Sequence, residues 1–367
     1  MKRRLLFITA LILSLLFIVS GCQFLTGTQT TFTPEDSLAV HFLDVGQGDA
    51  ILLVDNNETM LIDGGNPEYG DQIIDYLADL GITQLDYVVA THNHNDHAGG
   101  LTDVVVNLDV DNLYLTNSAE TTASKNLVAA AKAKNIPIST PSSGTAMAFG
   151  SSVINFLGPL NAHEDVNDDS LVMKVTHGPH RFLLTGDMEE AAEKELLAQN
   201  LDLATDVLKV GHHGSYSSTG YLFLRTVNPR YAVISAGVNN DYGHPHEETL
   251  SRLNDAGATI FRTDLLGTIV AISKGDQLRF DKTGVTPTQP YQEVDNGLSS
   301  MTTPISETPV NTATAETASY IGNKNSRVYH LPSCSGLPKA SNRIYLNTLE
   351  EVHAQGLTPC GICKPPS

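Results

Sequence analysis

THNHNDHAGG (residues 91–100) sets His92, His94, Asp96 and His97 inside six positions and closes on Gly99 and Gly100. The apolar run DYVVA (86–90) leads into it and reads as a strand. The four polar side chains therefore leave a strand end and enter a turn. Imidazole nitrogen and carboxylate oxygen are ligands suited to Zn, Mn or Fe. His92 and His94 are two apart, so an extended backbone turns both to one side. Asp96 and His97 can face a second ion as the chain turns into a helix. The glycine pair lets the backbone turn tightly behind them.

Outward from this stretch, apolar runs alternate with helical patterns from 37 to 283. LAVHFLDV (38–45), AILLVD (50–55) and TMLIDGG (59–65) read as successive strands of a meander. DQIIDYLADLG (71–81) has helical spacing and a terminal glycine. RFLLTGD (181–187), DVLKVGHHGS (206–215), RYAVISAG (230–237) and TIVAISK (268–274) read as strands, separated by helical patterns at 189–200 and 247–256. The pattern is an α/β sandwich, with strands dominating and helices outside. Asp63, Asp187, His212, His213, His244 and His246 stand in its polar or glycine-bearing loops. On local grounds Asp187 has an equally good reading as the cap of the helix EEAAEKEL that follows.

The 367 residues carry a net charge of −19. That balance argues against loose adhesion to nucleic acid or anionic lipid, though not against a polyanion held by metal ions in a cleft. The start, MKRRLLFITALILSLLFIVSGCQ (1–23), has a basic tip, an apolar run at 5–19 and small residues before Cys22. It reads as a secretory signal (1–21), shorter than a comfortable membrane span. VSGC (19–22) resembles the bacterial lipoprotein signal, which implies lipid on Cys22, a tether over 22–36 and an extracytoplasmic protein on the outer face of the cell membrane. No other segment is long and apolar enough to span, so lipid is the one membrane attachment expected. Residues 284–319 are rich in Thr, Pro, Ser and Glu without Lys or Arg, and read as a disordered linker.

The last 48 residues, 320–367, hold His330, Cys334, Cys360 and Cys363. A Cys-x₂-Cys knuckle with Pro359 before it signals a structural zinc, closed by His330 and Cys334. A metal staple suits a segment too short for a sizeable core. A Cys360–Cys363 disulfide with Cys334 free is the alternative.

The HxHxDH pattern at His92, His94, Asp96 and His97 resembles the signature of the metallo-β-lactamase superfamily. The resemblance implies an αββα sandwich holding two divalent ions, Zn or Mn. It makes Asp63 a support behind the ligands and Asp187 a bridging carboxylate. HFLDVGQGDA (41–50), NDDSLV (167–172), HHGS (212–215) and YGHPH (242–246) resemble, more finely, the hydrolase domain of the ComEC-type DNA-uptake proteins. The last ligand is then His244 in preference to His246. His212 and His213 take a substrate or proton-transfer role, with metal ligation as the second reading. His163 stands where the superfamily has a further histidine, in a loop where an exposed side chain is an equal reading; the subfamily places Asn167 and Asp168 nearby instead. SRVYHLPSC (326–334) with PCGICKP (359–365) resembles the metal-binding domain of the Ada repair protein, with His330 in place of its first cysteine. Loss of that thiolate implies a binding module without methyl-acceptor chemistry, its mild positive charge suited to DNA phosphates.

The resemblance implies a phosphodiesterase, above all a DNA-cleaving nuclease, in which Asp96 orients a metal-activated water and a histidine of HHGS assists the leaving oxygen. Two other readings stand beside it. One is an esterase acting on cell-wall phosphorylcholine or teichoic acid; the other is a non-catalytic lipoprotein that captures DNA.

Overall fold

A computed structural model describes residues 36–286, 318–324, 328–334, 337–338, 342–355, 357–360 and 363–366. The expected signal at 1–21, Cys22, the tether up to residue 35 and linker residues 287–317 lie outside them. Two β-sheets form the larger part. The first runs, edge to edge, Gln277–Phe280, Ile269–Lys274, Ser37–Phe42, Ile51–Asp55, Glu58–Ile62, Gln84–Ala90, Asp109–Leu115, Ile138–Ser139. The second runs Thr259–Arg262, Tyr231–Ile234, Val207–Lys209, His180–Leu184, Val172–His177, Ser152–Gly158, Ala146–Phe149.

Alternation along the strands serves two apolar layers at once. Ile51, Leu53, Met60 and Ile62 pack between the sheets with Phe182, Leu184, Val207 and Phe261 from the opposite one. Leu52 and Leu61 point the other way, onto Ile73, Leu77, Leu101, Val104 and Leu127 of the outer helices. On the second sheet, Leu183 and Leu208 meet Leu196, Leu224 and Leu253 in the same manner. Strands covered on both faces read as unbroken apolar runs, which is why AILLVD and RFLLTGD show no polar alternation. The αββα layering expected from the resemblance is the observed one.

Residues 101–171, left without assigned elements by the patterns above, contain the helices Leu101–Asn107 and Thr122–Ala133 and the hairpin of Ala146–Phe149 with Ser152–Gly158. Thr121 and Ser124 form a reciprocal capping box on the second helix. Beyond the last long strands, Val285 still pairs with Ile260, so the sheet edge reaches past 284.

Both sheets have parallel centres: Glu58–Ile62 with Gln84–Ala90 and Asp109–Leu115, and His180–Leu184 with Val207–Lys209, Tyr231–Ile234 and Thr259–Arg262. Loops leaving the carboxyl ends of parallel strands form a crevice, the usual ligand position in such sheets. Here those loops begin at Asp63, Thr91, Thr185, Val210 and Ser235. The small C-terminal module has its own sheet, Arg343–Leu346, Tyr320–Asn323, Val328–His330, Thr358–Pro359, around Tyr329, Leu346, Val352 and Leu357. Among the described residues no helix is long and apolar enough to cross a membrane.

One buried acid fastens the loop 215–220 to the helix Glu190–Ala198. Glu193 accepts hydrogen bonds from the backbone N–H groups of Thr219 and Gly220. Burial pushes its carboxyl up to about 7 against those two bonds, which pull it down. The folded chain therefore holds a proton there that the unfolded chain releases above the ordinary value of 4.5. The resulting stability is complete below that value and is lost as pH rises through about 7. Glu193→Gln removes this term, so the variant's melting temperature should vary less than the parent's between pH 4.5 and about 7. Parallel melts by circular dichroism check it; equal slopes would refute it.

Candidate metal centre

The quoted stretch follows Gln84–Ala90 and turns at once into the short helix Asn95–Ala98. The glycine pair is required by close approach, not by a left-handed turn. A Cβ on Gly99 would lie 2.3 Å from Asn95 O, and one on Gly100 2.2 Å from Gly64 O. The contact lets Gly64 N–H donate to His97 O at 2.7 Å and Gly100 N–H to Gly65 O at 3.1 Å, locking two site loops together.

Asp63 uses this lock. Its backbone is left-handed at φ 59°, and its buried carboxylate accepts from Thr91 N, Thr91 Oγ1 and His97 Nδ1 at 2.8, 2.7 and 2.8 Å. A carboxylate on Nδ1 fixes the imidazole so that Nε2 faces the crevice. His97 Nε2 lies 3.1 Å from Asp187 Oδ2, and His213 Nε2 lies 3.3 Å from the same oxygen and 3.4 Å from Asp96 Oδ2. One ligand atom from each of Asp96, His97, Asp187 and His213 falls within 4.8 Å of all the others. Among the described residues, His97 Nε2, His213 Nε2 and Asp187 Oδ1 are buried and make no well-formed hydrogen bond. Buried polar atoms are nearly always satisfied, so convergent orphans of opposite sign are the form a cation site takes.

The electrostatics agree. Burial works against charge on His97 and His213, yet Asp187 first, then Asp63 on the one and Asp49 and Asp96 on the other, holds both well above the ordinary histidine range. Burial raises Asp187, but His213 and His97 outweigh it and hold the carboxyl well below its usual range. The cluster demands positive charge, and a divalent cation meets that demand through the same Nε2 atoms.

His92 and His94 lie beside this group. His92 Nδ1 is 3.2 Å from Thr91 Oγ1 and 3.4 Å from Ser170 Oγ, which leaves Nε2 3.1 Å from His94 Nδ1 and 3.9 Å from Asp187 Oδ2. Burial, then the neighbouring His97, lowers His92 well below the ordinary value, which favours the neutral imidazole. Asp187 therefore faces both pairs of the HxHxDH pattern, as a bridging carboxylate would.

His213, read above as facing substrate with metal ligation as the second reading, stands in the group that could hold an ion, and His244, read above as the last ligand, does not. His212 and His213 are both left-handed, at φ 47° and 52°, which sends their side chains apart. His213 turns inward and is buried; His212 stays a quarter exposed. His244 is outside the ligand group, its ring stacked on His213 at 6.2 Å and edge-on to His212 at 5.5 Å. His246 Nδ1 accepts from Tyr216 N at 3.1 Å. His163 is held elsewhere, with Nδ1 3.2 Å from Asp169 Oδ1 and Nε2 3.4 Å from Glu195 Oε1. Asn167 is buried with Oδ1 unbonded among the described residues, and Asp168 caps the helix Glu190–Ala198 through Glu189 N and Ala192 N.

Three site residues carry no signal of their own in the sequence. Glu189 Oε1 accepts from His212 Nδ1 and Ser217 Oγ, both at 2.6 Å. Burial lowers His212, but the Glu189 bond and the Asp187 charge prevail and raise it. Behind His213, whose Nδ1 is hydrogen-bonded to Ser235 O at 3.1 Å, the fully buried Lys209 Nζ pairs with Asp49 Oδ2 at 2.9 Å, and Asp49 Oδ1 stands as a charge 3.3 Å from the same Nδ1. Asp49 sits in the DVGQGDA turn and Lys209 inside an apolar strand, where local reading offers only a turn residue and a misplaced charge.

In the C-terminal module His330, Cys334, Cys360 and Cys363 bring one ligand atom each within 4.8 Å, and no disulfide joins these cysteines. Both His330 nitrogens are buried, and among the described residues neither meets a nitrogen or oxygen partner. Cys334 as hydrogen-bond partner, joined by His330, draws the Cys360 thiol down to about 3 against burial. Thiolate character of this kind suits zinc.

The family model of the metallo-β-lactamase superfamily matches residues 43–238 and takes in every member of the buried ligand group. The model of the metal binding domain of Ada matches residues 309–366. ComE operon protein 3 of Bacillus subtilis is 32% identical over 251 residues, 63% of this chain and 32% of that protein. Competence protein ComA of Neisseria gonorrhoeae is 30% identical over 239 residues, 64% of this chain and 32% of its own. Recombination protein 2 of Haemophilus influenzae is 32% identical over 236 residues, 63% of this chain and 28% of its own. The chain thus spans about a third of the length of these relatives.

Asp49 and Lys209 give a test of the centre that does not depend on turnover. Thiolates select zinc, so manganese titration reports the histidine–carboxylate site alone. Asp49→Asn should weaken manganese binding by about 10–100-fold, the usual cost of losing the group behind a ligand histidine. Lys209→Met alone should cost roughly 3–5 kcal/mol by leaving a buried charge unpaired. The double variant should recover stability but not affinity; full affinity in it would refute the positioning role.

Proposed function

The chain belongs to the metallo-β-lactamase superfamily, and from that premise we propose that it is a metal-dependent phosphodiesterase that cleaves DNA outside the cell, tethered by lipid on Cys22. The observation that carries the reading is the buried convergence of Asp96, His97, Asp187 and His213, with His92 and His94 alongside. Zinc or manganese held there would supply Lewis acidity and a water of lowered pKa. His92, His94 and Asp187 would hold one ion, and Asp96, His97, Asp187 and His213 the other.

The remaining steps fall to the chain. Asp96, partly exposed while the other members of its group are buried, orients the attacking water. His212, its Nδ1–H given to Glu189, presents Nε2 toward the crevice and protonates the leaving oxygen. His244, edge-on to His212 at 5.5 Å, lines the approach to it and contacts substrate. A proton donor paired with its own carboxylate favours catalysis over mere capture of DNA. Relatives named for competence and recombination support DNA as the substrate. The C-terminal group would hold one structural zinc, making the module a DNA-binding accessory.

Purified protein loaded with zinc or manganese should cleave labelled DNA, and His212→Ala should lower kcat by about 10²–10⁴-fold without changing manganese stoichiometry. Bis-p-nitrophenyl phosphate, RNA and p-nitrophenylphosphorylcholine complete the screen. Turnover of the choline ester alone would transfer the site to cell-wall chemistry, and no cleavage at full metal occupancy would sink the enzyme reading.

A further inference from the structure

The loops that build the crevice, residues 43–50, 63–69, 91–100, 185–189, 210–220 and 235–246, contain no lysine or arginine. They contain Asp44, Glu68, Asp96, Glu189 and Asp241. The nearest guanidinium on the following helix, Arg252, is buried and spent on Tyr216 O and Thr249 Oγ1. These loops themselves offer a polyanion no side-chain cation, so they do not hold it by ordinary phosphate pairing.

The mouth offers aromatic rings instead. Tyr216 lies edge-on to His246 at 5.1 Å, His246 edge-on to His244 at 4.8 Å, and Tyr242 stacks on His244 at 5.6 Å and 23°. His244 in turn stacks on His213 of the ligand group at 6.2 Å and 30°. The four rings form one strip from the buried cluster to the surface. Its outer members, Tyr216 and Tyr242, are 64% and 66% exposed. The strip is fixed in place: Asn240 bonds Gly237 O, Tyr242 N, His244 N and His244 O, and Gln47 Nε2 lies 3.4 Å from His244 Nδ1.

We propose that this Tyr216–His246–His244–Tyr242 strip is a base-stacking platform that recognises unpaired nucleobases beside the scissile phosphate. The inference rests on the nucleic-acid reading above and sharpens it to a single strand, since bases inside a duplex cannot reach an exposed ring. An open strip suits successive bases, whereas a quaternary ammonium needs rings closed around it.

Binding tests it without turnover. Fluorescence anisotropy of a labelled oligothymidylate is compared with that of an abasic strand of equal length, on the manganese-loaded protein. One base–ring stack corresponds to about 5–150-fold in affinity, so the parent should prefer the strand with bases by at least about tenfold. Tyr242→Leu and Tyr216→Leu should lose most of that preference, and Tyr242→Phe should restore it, which a merely structural tyrosine would not show. Equal affinity of the parent for both strands overturns the inference. So does a Tyr242→Phe variant as poor as Tyr242→Leu, or tyrosine-dependent binding of phosphorylcholine without the strand. Base-dependent binding without cleavage would leave the strip intact and fail only the nuclease reading.

Discussion

One carboxylate oxygen, Asp187 Oδ2, stands 3.1 Å from His97 Nε2 and 3.3 Å from His213 Nε2 in a crevice closed to solvent. Desolvated charge of this density is tolerable only when each group is held against a partner of opposite sign. Much of the surrounding architecture meets that condition. Asp63 holds His97 from behind, and Asp49 with Lys209 stands behind His213. The left-handed backbones at 63, 212 and 213 aim those side chains, and Gly64 and Gly100 bring the loops close enough for the bonds to form.

The fold explains why such strain is affordable. Three apolar layers, one between the sheets and one under each set of helices, fix the parallel strands whose carboxyl ends carry the site. Asp63, His92, His94, Asp187, His212 and His213 leave a strand within four residues of its end, so a rigid sheet sets their positions. Roles then divide by depth. Deep imidazoles are locked by carboxylates, hydroxyls or a backbone carbonyl; the shallower His212 is hydrogen-bonded to Glu189 and has its Nε2 3.9 Å from Asp187 Oδ2.

The rim presents a different surface from the interior. Crevice loops without Lys or Arg and exposed tyrosines imply that ions at the centre and ring stacking at the edge, not a basic groove in these loops, would hold a nucleic acid. That arrangement is consistent with a net charge of −19, which would otherwise repel the substrate proposed for it.

Legibility divided along the same line. THNHNDHAGG could be read because four ligands are neighbours in the chain, and apolar runs such as AILLVD announced their strands by composition alone. The knuckle of Cys360 and Cys363 was equally local. His213 and His244 could not be ranked, since both follow parallel strands and differ only in which ring a left-handed turn sends inward. Asp49, Glu189 and Lys209 were invisible as site residues, because each acts on a histidine 20 or more residues away or, for Lys209, through Asp49. The sequence by itself determined the alternation of strands and helices, the HxHxDH cluster and the His–Cys–Cys–Cys set of the small module, because each is a pattern of near neighbours in the chain. Tertiary structure alone decided which remaining imidazoles face Asp187 and which face outward. That choice depends on Nδ1 partners brought from distant strands, and no spacing along the chain records it.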